Sequence, residues 1–358
     1  MKKTWLICSL CCVVFFNSSV AQTGIQKQDD SIQYLADSLY SKEKLPGIFI
    51  GILNNGKRSF YQAGFADPDR QMPFDSSTTF EIGSITKTFT AYVLTAVLME
   101  NNISETGPVI NYLPDSVRQN QHLSSISFLS LMNHTSGLPR LPDNLKMVNI
   151  RQPYETYGAN ELYTYLKSCT PKPDGKSIYS NLGAGLAGVL AERISGKSFV
   201  TLADQYILQP FKMGNPAKAL TQHKSQGYFA ANDKTPYWNM NILAPAGGLT
   251  STGNDMLTYL ENMCFPKTGK SKAIINKLTA QTVAITPRVA VGLGWHIIND
   301  KDQPPVYWHN GGTYGFSTFA AFVKDKSKAV IVVINQFNKN GAGDGLGIVI
   351  IKKLIREE

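Results

Sequence analysis

A serine and a lysine three positions apart, Ser84 and Lys87, are the residues of this chain whose types and spacing most directly suggest chemistry. They lie in residues 80–91, FEIGSITKTFTA, where a glycine leads into an apolar run that favours a helix. On a helix, positions three apart share one face, so the Lys87 amine would lie beside the Ser84 hydroxyl. A desolvated lysine can take the proton of a serine, and first-turn N–H groups would face the resulting oxyanion. The pair therefore indicates acyl transfer through a covalent serine intermediate.

The same spacing occurs once more, in the segment SKEK from Ser41 to Lys44. Three of its four residues are charged, and Pro46 follows closely, which is typical of the polar end of a helix. We therefore interpret this second pair as a solvated surface pair. Because a serine three before a lysine is a common pattern, the functional interpretation of Ser84 depends on what else the chain supplies.

A second group with chemical potential is Tyr179-Ser180-Asn181, placed between a Pro-Asp-Gly loop and a predicted helix. Tyr179 could pass a proton if a nearby cation favours its phenolate, and Asn181 could donate to a carbonyl or accept from an amide. The alternative is a plain helix start, with Ser180 or Asn181 as the cap. The segment GAGLAG at residues 183–188 matches a dinucleotide-binding motif only literally, because no strand precedes it. Small residues that let a helix pack closely explain it better.

A third group is His309-Asn310-Gly311-Gly312, which lies between two apolar runs. Backbone N–H groups at the glycines could approach a substrate closely, since glycine has no Cβ. The alternative is that His309 is a packed strand residue beside Trp308. A literal Lys-Thr-Gly also occurs at residues 267–269, but no apolar strand flanks it, and we predict a solvated loop there.

The elements that must position these groups form an α+β pattern. We predict a helix over residues 29–41, strands over 47–53 and 58–65 joined by an Asn-Gly hairpin, and the helix after Ser84. Helices and long loops follow to residue 238 and a helix covers 253–263; apolar runs then cover 289–298, 306–309, 316–323 and 329–335, before a final helix over 345–356. The pattern predicts one antiparallel sheet flanked by the terminal helices. Residues 22–107 and 245–358 would form this α/β lobe, 108–244 an inserted helical lobe, and the cleft between them the site.

The start of the chain has the pattern of a secretory signal peptide. Lys2 and Lys3 precede an apolar run, and Ala21 ends a small-x-small cleavage site, so residues 1–21 would be removed. A lipidated Cys11 or Cys12 is the less favoured alternative. The prediction is a secreted or periplasmic protein with a single catalytic domain over residues 22–358 and no membrane span.

Composition narrows the possible partners. The formal charge is +9, but no Lys/Arg-rich run with interleaved aromatics occurs, so we do not expect nucleic-acid binding. The 5 histidines are scattered and lack metal-ligand spacing, so no metal or other cofactor is expected. Only Cys169 and Cys264 lie beyond the leader, which is no disulfide framework. The sequence leaves open whether these two pair, and it leaves the oligomeric state open.

The three groups occur in the order that is typical of the serine β-lactamase and penicillin-binding-protein family. S-x-x-K at 84–87, Y-x-N at 179–181 and H-x-G at 309–311 resemble the class C β-lactamase, D,D-carboxypeptidase and esterase branch. The phrases HTSGLPR at 134–140 and AGGLTSTGNDM at 246–256 resemble the same branch, and the resemblance covers roughly residues 48–333.

The resemblance implies a catalytic role for four residues. Ser84 would be the acylated nucleophile, and Lys87 would tune or accept its proton. Tyr179 would be the proton shuttle or base for acylation and for activating the deacylating water. The backbone N–H groups of Ser84 and Gly312 would form the oxyanion hole.

It also implies a substrate-binding set. Asn181 would hold the acyl-side amide, and His309, Asn310 and Gly311 would form the third binding motif, whereas His134 would be structural in its loop. His309 stands where class C enzymes have lysine, and Asn310 where they have a hydroxyl residue. A histidine is only partly charged near neutral pH, which puts efficient β-lactam hydrolysis in doubt.

Three hypotheses about function follow. The first is a class C-like β-lactamase, or a related hydrolase of D-Ala peptides. The second is a carboxylesterase of the same fold, and the third is a sensor that is acylated by β-lactams without turnover. Thr313 is a candidate for the missing hydroxyl, but the sequence does not show its direction.

Overall fold

The computed structural model describes residues 30–214 and 223–357. The predicted leader at residues 1–21, with its cleavage site and its three cysteines, lies outside the described residues. None of the helices in the described ranges is long and apolar enough to cross a membrane.

The described residues form an α+β fold, which confirms the predicted fold class. The helices are α1 (Asp30–Glu43), α2 (Thr86–Glu100), α3 (Asp115–Arg118), α4 (Phe128–Met132), α5 (Ala159–Leu166), α6 (Asn181–Ser195), α7 (Phe199–Ala203), α8 (Gln209–Phe211), α9 (Gly253–Cys264), α10 (Gly269–Thr279) and α11 (Asn340–Arg356). The strands are β1 (Gly47–Asn54), β2 (Lys57–Gly64), β3 (Thr79–Glu81), β4 (Gly227–Ala230), β5 (Asp233–Thr235), β6 (Thr250–Thr252), β7 (Val283–Thr286), β8 (Val289–Val291), β9 (His296–Ile298), β10 (Val306–Gly312), β11 (Ser317–Val323) and β12 (Lys328–Ile334).

Eight of these strands form one sheet in the order β2-β1-β12-β11-β10-β9-β8-β7, and each neighbouring pair is antiparallel. The N-terminal hairpin β1–β2 thus joins the edge of strands from the C-terminal part, through Ile48 opposite Ile334. Strands β11 and β12 are buried along their whole length because helices cover both faces of the sheet. The terminal helices α1 and α11 pack on one face, where Ile32 and Ile350 are fully buried.

On the other face, α2 is the central helix of the core. It is apolar around most of its circumference, and Thr86 to Leu98 are all buried, as expected for a helix enclosed by others. Its N-terminus begins with the 3₁₀ turn Gly83–Ile85, directly after strand β3. Strand β10 ends next to this turn. A Cβ placed on Gly83 would lie only 2.7 Å from the Gly312 nitrogen. The sheet and α2 therefore meet at Ser84.

Several predicted bounds were wrong. Residues 289–298 form two short strands, not one run, because Gly294 adopts a φ of +73° and turns the chain between β8 and β9. The last helix begins at Asn340 rather than Gly345, and the helical middle of the chain also contains the hairpin β4–β5. The division into two lobes at residues 107 and 244 stays a prediction.

The two described cysteines do not pair. Cys169 and Cys264 are both buried thiols, and the Cys264 Sγ contacts the Lys328 carbonyl at 3.7 Å. Burial raises the pKa of the Cys169 thiol to about 11, so neither the geometry nor the protonation state favours a reactive thiolate there.

Candidate active site

Ser84 and Lys87 meet as the helical spacing predicts. Ser84 is in the 3₁₀ turn before α2, and Lys87 Nζ lies 2.9 Å from its Oγ. The amine also donates to the Ala246 carbonyl at 2.5 Å. Lys87 is buried, and this desolvation lowers the pKa of its amine well below the ordinary value; the Arg140 charge acts in the same direction. A neutral amine beside the hydroxyl can accept its proton.

Tyr179 lies above this pair. Lys87 Nζ is 4.8 Å from the centroid of its ring, and a hydrogen bond links the phenol to Ser84. Desolvation raises the pKa of Tyr179 to about 12, although the Ser84 hydrogen bond and the Arg140 charge lower it. The phenol is therefore protonated in the resting site, and Lys87 is the better proton acceptor of the two. His134 is buried against Tyr179, and its Nδ1 accepts from the Ser180 N–H at 3.3 Å.

Tyr179 and Asn181 lie on either side of Ser180, the N-cap of α6. The segment is therefore both a helix start and a part of the cleft wall. The Ser180 hydroxyl caps α6 by accepting from the Gly183 N–H at 2.8 Å, while Asn181 begins the helix and lines the cleft. The Asn181 Oδ1 is buried without a hydrogen-bond partner in the described residues. The GAGLAG segment lies inside this helix. A Cβ on its Gly188 would be 2.2 Å from Pro245, which confirms the interpretation as close packing.

The turn at Gly83 and the end of β10 approach each other as an oxyanion hole requires. Gly83 has a φ of +51°, a conformation that glycine adopts without strain. A Cβ on Gly311 would lie 2.0 Å from the Ile82 carbonyl, so only glycine lets β10 come this close to the turn that contains Ser84. The arrangement brings the backbone of Ser84 and Gly312 to one edge of the cleft. Their role as oxyanion donors stays a prediction.

His309 has a different environment from the one that a substrate-binding residue would need. It is only 1% exposed and does not line the cleft, although its ring centroid lies 6.1 Å from that of Tyr179. Burial lowers the pKa of His309 well below its ordinary value, and the nearby His296 and Lys87 act in the same direction, so the ring is neutral. Its Nδ1 lies 2.5 Å from the Asn310 carbonyl, which can only accept, so Nδ1 carries the proton.

Asn310 lines the cleft, but its amide already has a partner. Its Nδ2 donates to Asp344 Oδ2 at 2.6 Å, which ties the end of β10 to α11. Thr313 does not supply a hydroxyl to the cleft. Its side chain is buried, and its Oγ1 donates to Glu81 Oε2 at 2.7 Å. Gly311 is buried and holds the backbone approach described above.

Sequence reasoning did not find Glu81, which links three segments near the site: β3, the segment of Trp238 and the turn of Thr313. It lies in β3 three residues before Ser84 and accepts from the Trp238 N–H at 2.5 Å as well as from Thr313. It is 4% exposed, and desolvation raises its pKa to about 7 despite these hydrogen bonds and the Lys224 charge. The glutamate in FEIGS was visible in the sequence, but only tertiary structure shows that it is buried.

This buried carboxyl predicts a pH-dependent stability. The folded pKa of Glu81 is about 7 and its ordinary value is 4.5, so the folded state holds a proton that the unfolded state loses between these values. The free energy of unfolding should therefore fall by up to about 3 kcal/mol as pH rises through this window. Glu81→Gln keeps an acceptor and cannot ionise, so chemical denaturation of this variant at pH 5 and pH 8 should show a flatter dependence. The partly exposed Glu155→Gln is the matched control, and an unchanged slope in Glu81→Gln would contradict the assignment.

Ser84 opens onto a cleft of about 440 Å³, a size that accepts a small-molecule or short peptide ligand. Of the predicted site residues, Ser84, Tyr179, Asn181, Asn310 and Gly312 line it. Lys87, His309 and Gly311 do not line it.

Several residues of the cleft wall were not among those predicted from the sequence. They are Arg140, Tyr154, Trp238, His296 and Asn340. Arg140 was present in the phrase HTSGLPR, and this was a signal that could have found it. The other four come from distant parts of the chain and carry no local motif.

The two other motif matches, SKEK at residues 41–44 and Lys-Thr-Gly at 267–269, do not line the cleft. Ser41 is an exposed residue near the end of α1, as predicted. The Lys-Thr-Gly segment is exposed, but it is a helix start rather than a loop: the Thr268 hydroxyl accepts from the Ser271 N–H at the N-terminus of α10.

Comparison with known proteins gives the same family as the motifs. The family described as Beta-lactamase matches residues 27–353. The chain is similar to a β-lactamase of Providencia stuartii, with 26% identity over 90% of this chain and 92% of that one. It is 22% identical to the D-alanyl-D-alanine-carboxypeptidase/endopeptidase AmpH of Escherichia coli K12, over 94% of this chain and 92% of that one.

A solved structure supports the fold. The class C β-lactamase from Rhodobacter sphaeroides superimposes with a TM-score of 0.77 at 22% identity, covering 92% of this chain and 99% of that one. Because the family match extends over nearly the whole described chain, and because the fold agrees, the chain is a serine hydrolase that belongs to the β-lactamase family.

Proposed function

We propose that this protein is an exported serine hydrolase that acts through an acyl-enzyme at Ser84, on β-lactams or related D-Ala peptides. The single observation that carries the proposal is the 2.9 Å approach of a buried, desolvated lysine amine to the serine hydroxyl. A buried amine with no carboxylate partner in the described residues is unfavourable for stability, and a catalytic role accounts for it.

Acylation would begin when the neutral Lys87 amine takes the Ser84 proton as Oγ attacks the substrate carbonyl. The oxyanion would form at the edge where Gly83 and Gly312 meet, within reach of backbone N–H groups. Tyr179, with its pKa of about 12, would act as a protonated phenol that delivers a proton to the leaving group and recovers one from the deacylating water. Asn181, with an unpartnered Oδ1, would accept from an amide of the substrate.

A carboxylesterase of the same fold is the alternative that one observation favours. At the position where the family pattern has a lysine, His309 is neutral and buried, so it offers no charge for a substrate carboxylate. An uncharged ester does not need that charge, whereas a β-lactam or a D-Ala peptide carries a carboxylate.

The experiment is a time course of intact mass. The protein without residues 1–21 is incubated separately with a chromogenic cephalosporin, a D-Ala-D-Ala peptide and a p-nitrophenyl ester, and turnover is recorded in parallel. We expect an adduct that forms and decays, and that peptide mapping places on Ser84.

The outcomes separate the alternatives. Turnover of the ester without an adduct from either of the other substrates would favour the esterase. An adduct from the cephalosporin that persists without turnover would favour a sensor. The absence of any adduct and any turnover, or an adduct on another residue, would overturn the proposal.

A further inference from the structure

Arg140 is the exposed cation of the cleft. It lines the cleft together with Ser84 and Tyr179, and its Cζ lies 5.3 Å from the centroid of the Tyr179 ring. Its backbone carbonyl accepts from the Asn181 N–H at 3.0 Å, so the start of α6 fixes the position of the residue. A guanidinium over an aromatic face is held by the ring and keeps its edge N–H groups available.

The guanidinium of Arg140 has no carboxylate partner among the residues that the structure describes. Most of the other described arginines do have one: Arg58 binds Glu261, Arg70 binds Asp67, Arg118 binds Asp115, Arg151 binds Asp233 and Arg288 binds Asp300. No described Asp or Glu lines the cleft with Arg140. The bidentate donor set of this arginine is therefore open to a ligand.

The other basic side chains in and near the cleft carry little positive charge, so they compete only weakly with Arg140 for an anion. His309 is neutral and buried, and desolvation lowers the pKa of His296, which lines the cleft, to about 4. Lys87 is buried behind Ser84 and its pKa is also lowered. Near neutral pH the permanent charge on the cleft wall is thus that of Arg140.

We propose that Arg140 is an anion-binding site which selects acyl donors that carry a carboxylate, and that it supplies the charge which His309 lacks. This inference rests on the proposed function, since it names the substrate class of the same cleft. The ligand is a carboxylate of the acyl donor, held by two N–H donors of one guanidinium.

The test compares three chromogenic esters on the protein without residues 1–21. They are p-nitrophenyl butyrate, which is neutral; p-nitrophenyl hydrogen glutarate, with the carboxylate on the acyl side; and 3-carboxy-4-nitrophenyl butyrate, with the carboxylate on the leaving group. Arg140→Gln is expected to lower kcat/KM for at least one carboxylate ester by tenfold or more beyond its effect on the neutral ester. Arg140→Lys should recover part of this difference, and the exposed Arg356→Gln is the matched control.

Salt dependence gives a second measurement. For the wild-type protein, kcat/KM for the preferred carboxylate ester should fall between 20 mM and 500 mM KCl more than that for the neutral ester, and Arg140→Gln should abolish this difference. Equal losses for all three esters would overturn the proposal, because they would show that Arg140 only supports Tyr179. No loss for any ester would overturn it as well.

Binding without turnover separates this inference from the proposed function. Calorimetry with glutarate on Ser84→Ala protein should give binding that weakens at least tenfold when Arg140→Gln is added. If the cephalosporin, the D-Ala-D-Ala peptide and the esters give neither an adduct nor turnover, but glutarate binds through Arg140, the proposed function fails and the anion site stands. If the esters are hydrolysed at Ser84 and glutarate binding is insensitive to Arg140, the anion site fails alone.

Discussion

Ser84→Ala is expected to lower kcat/KM by on the order of a thousandfold or more for every substrate that the protein turns over. Alanine removes the hydroxyl oxygen that lies 2.9 Å from Lys87 Nζ and should leave the turn otherwise unchanged. The expected loss is large because the residual rate would come only from binding and from the backbone donors. The mass adduct should disappear together with the activity.

The chain contains its own matched control for this substitution. Ser41 has the same spacing to Lys44 as Ser84 has to Lys87, but it is an exposed residue of α1 and does not line the cleft. Ser41→Ala should leave the rates and the adduct of the wild-type protein. Turnover that survives in Ser84→Ala at more than a few per cent would contradict the acyl-enzyme mechanism, provided that circular dichroism shows the variant folded.

Local spacing explains why the contact between Ser84 and Lys87 could be predicted from the sequence. The Ser84–Lys87 contact depends only on a helix turn, and an apolar run such as that of α2 folds into a buried helix wherever it packs. The start of α6 is equally local, since the Ser180 cap needs only the Gly183 N–H. The polar residues that flank SKEK at 41–44 and Lys-Thr-Gly at 267–269 are also local, so both segments could be excluded from the site on the sequence alone.

The wall of the cleft could not be predicted, because long-range packing decides it. Whether His309 faces the cleft or the core depends on the register of β10 against its neighbours, and a one-residue change would reverse it. The partners of Asn310 and Thr313 come from α11 and β3, which are far away in sequence. The helix start at Asn340 was missed because tertiary contacts of α11 outweigh the low helix propensity of its glycines.

Lys87→Met is expected to slow acylation by on the order of a thousandfold, the middle of the range for loss of a general base. Methionine fills the buried volume without an amine, so the variant should fold with unchanged or higher stability, since a desolvated amine is lost. The rate of adduct formation, followed by stopped-flow and by mass, measures the effect. Lys44→Met, at the exposed second motif, is the matched control.

The pH dependence of the same variant distinguishes Lys87 from Tyr179 as the proton acceptor. Burial lowers the pKa of Lys87, so wild-type acylation should fall as pH drops through that lowered pKa and the amine becomes charged. In Lys87→Met this acidic limb should vanish along with most of the rate. A variant that keeps both the rate and the limb would instead assign the base to Tyr179, whose pKa of about 12 makes it protonated at neutral pH. That result would require a cation such as Arg140 to lower the tyrosine pKa further once substrate is bound, and Arg140→Gln would then abolish acylation of neutral and anionic substrates alike.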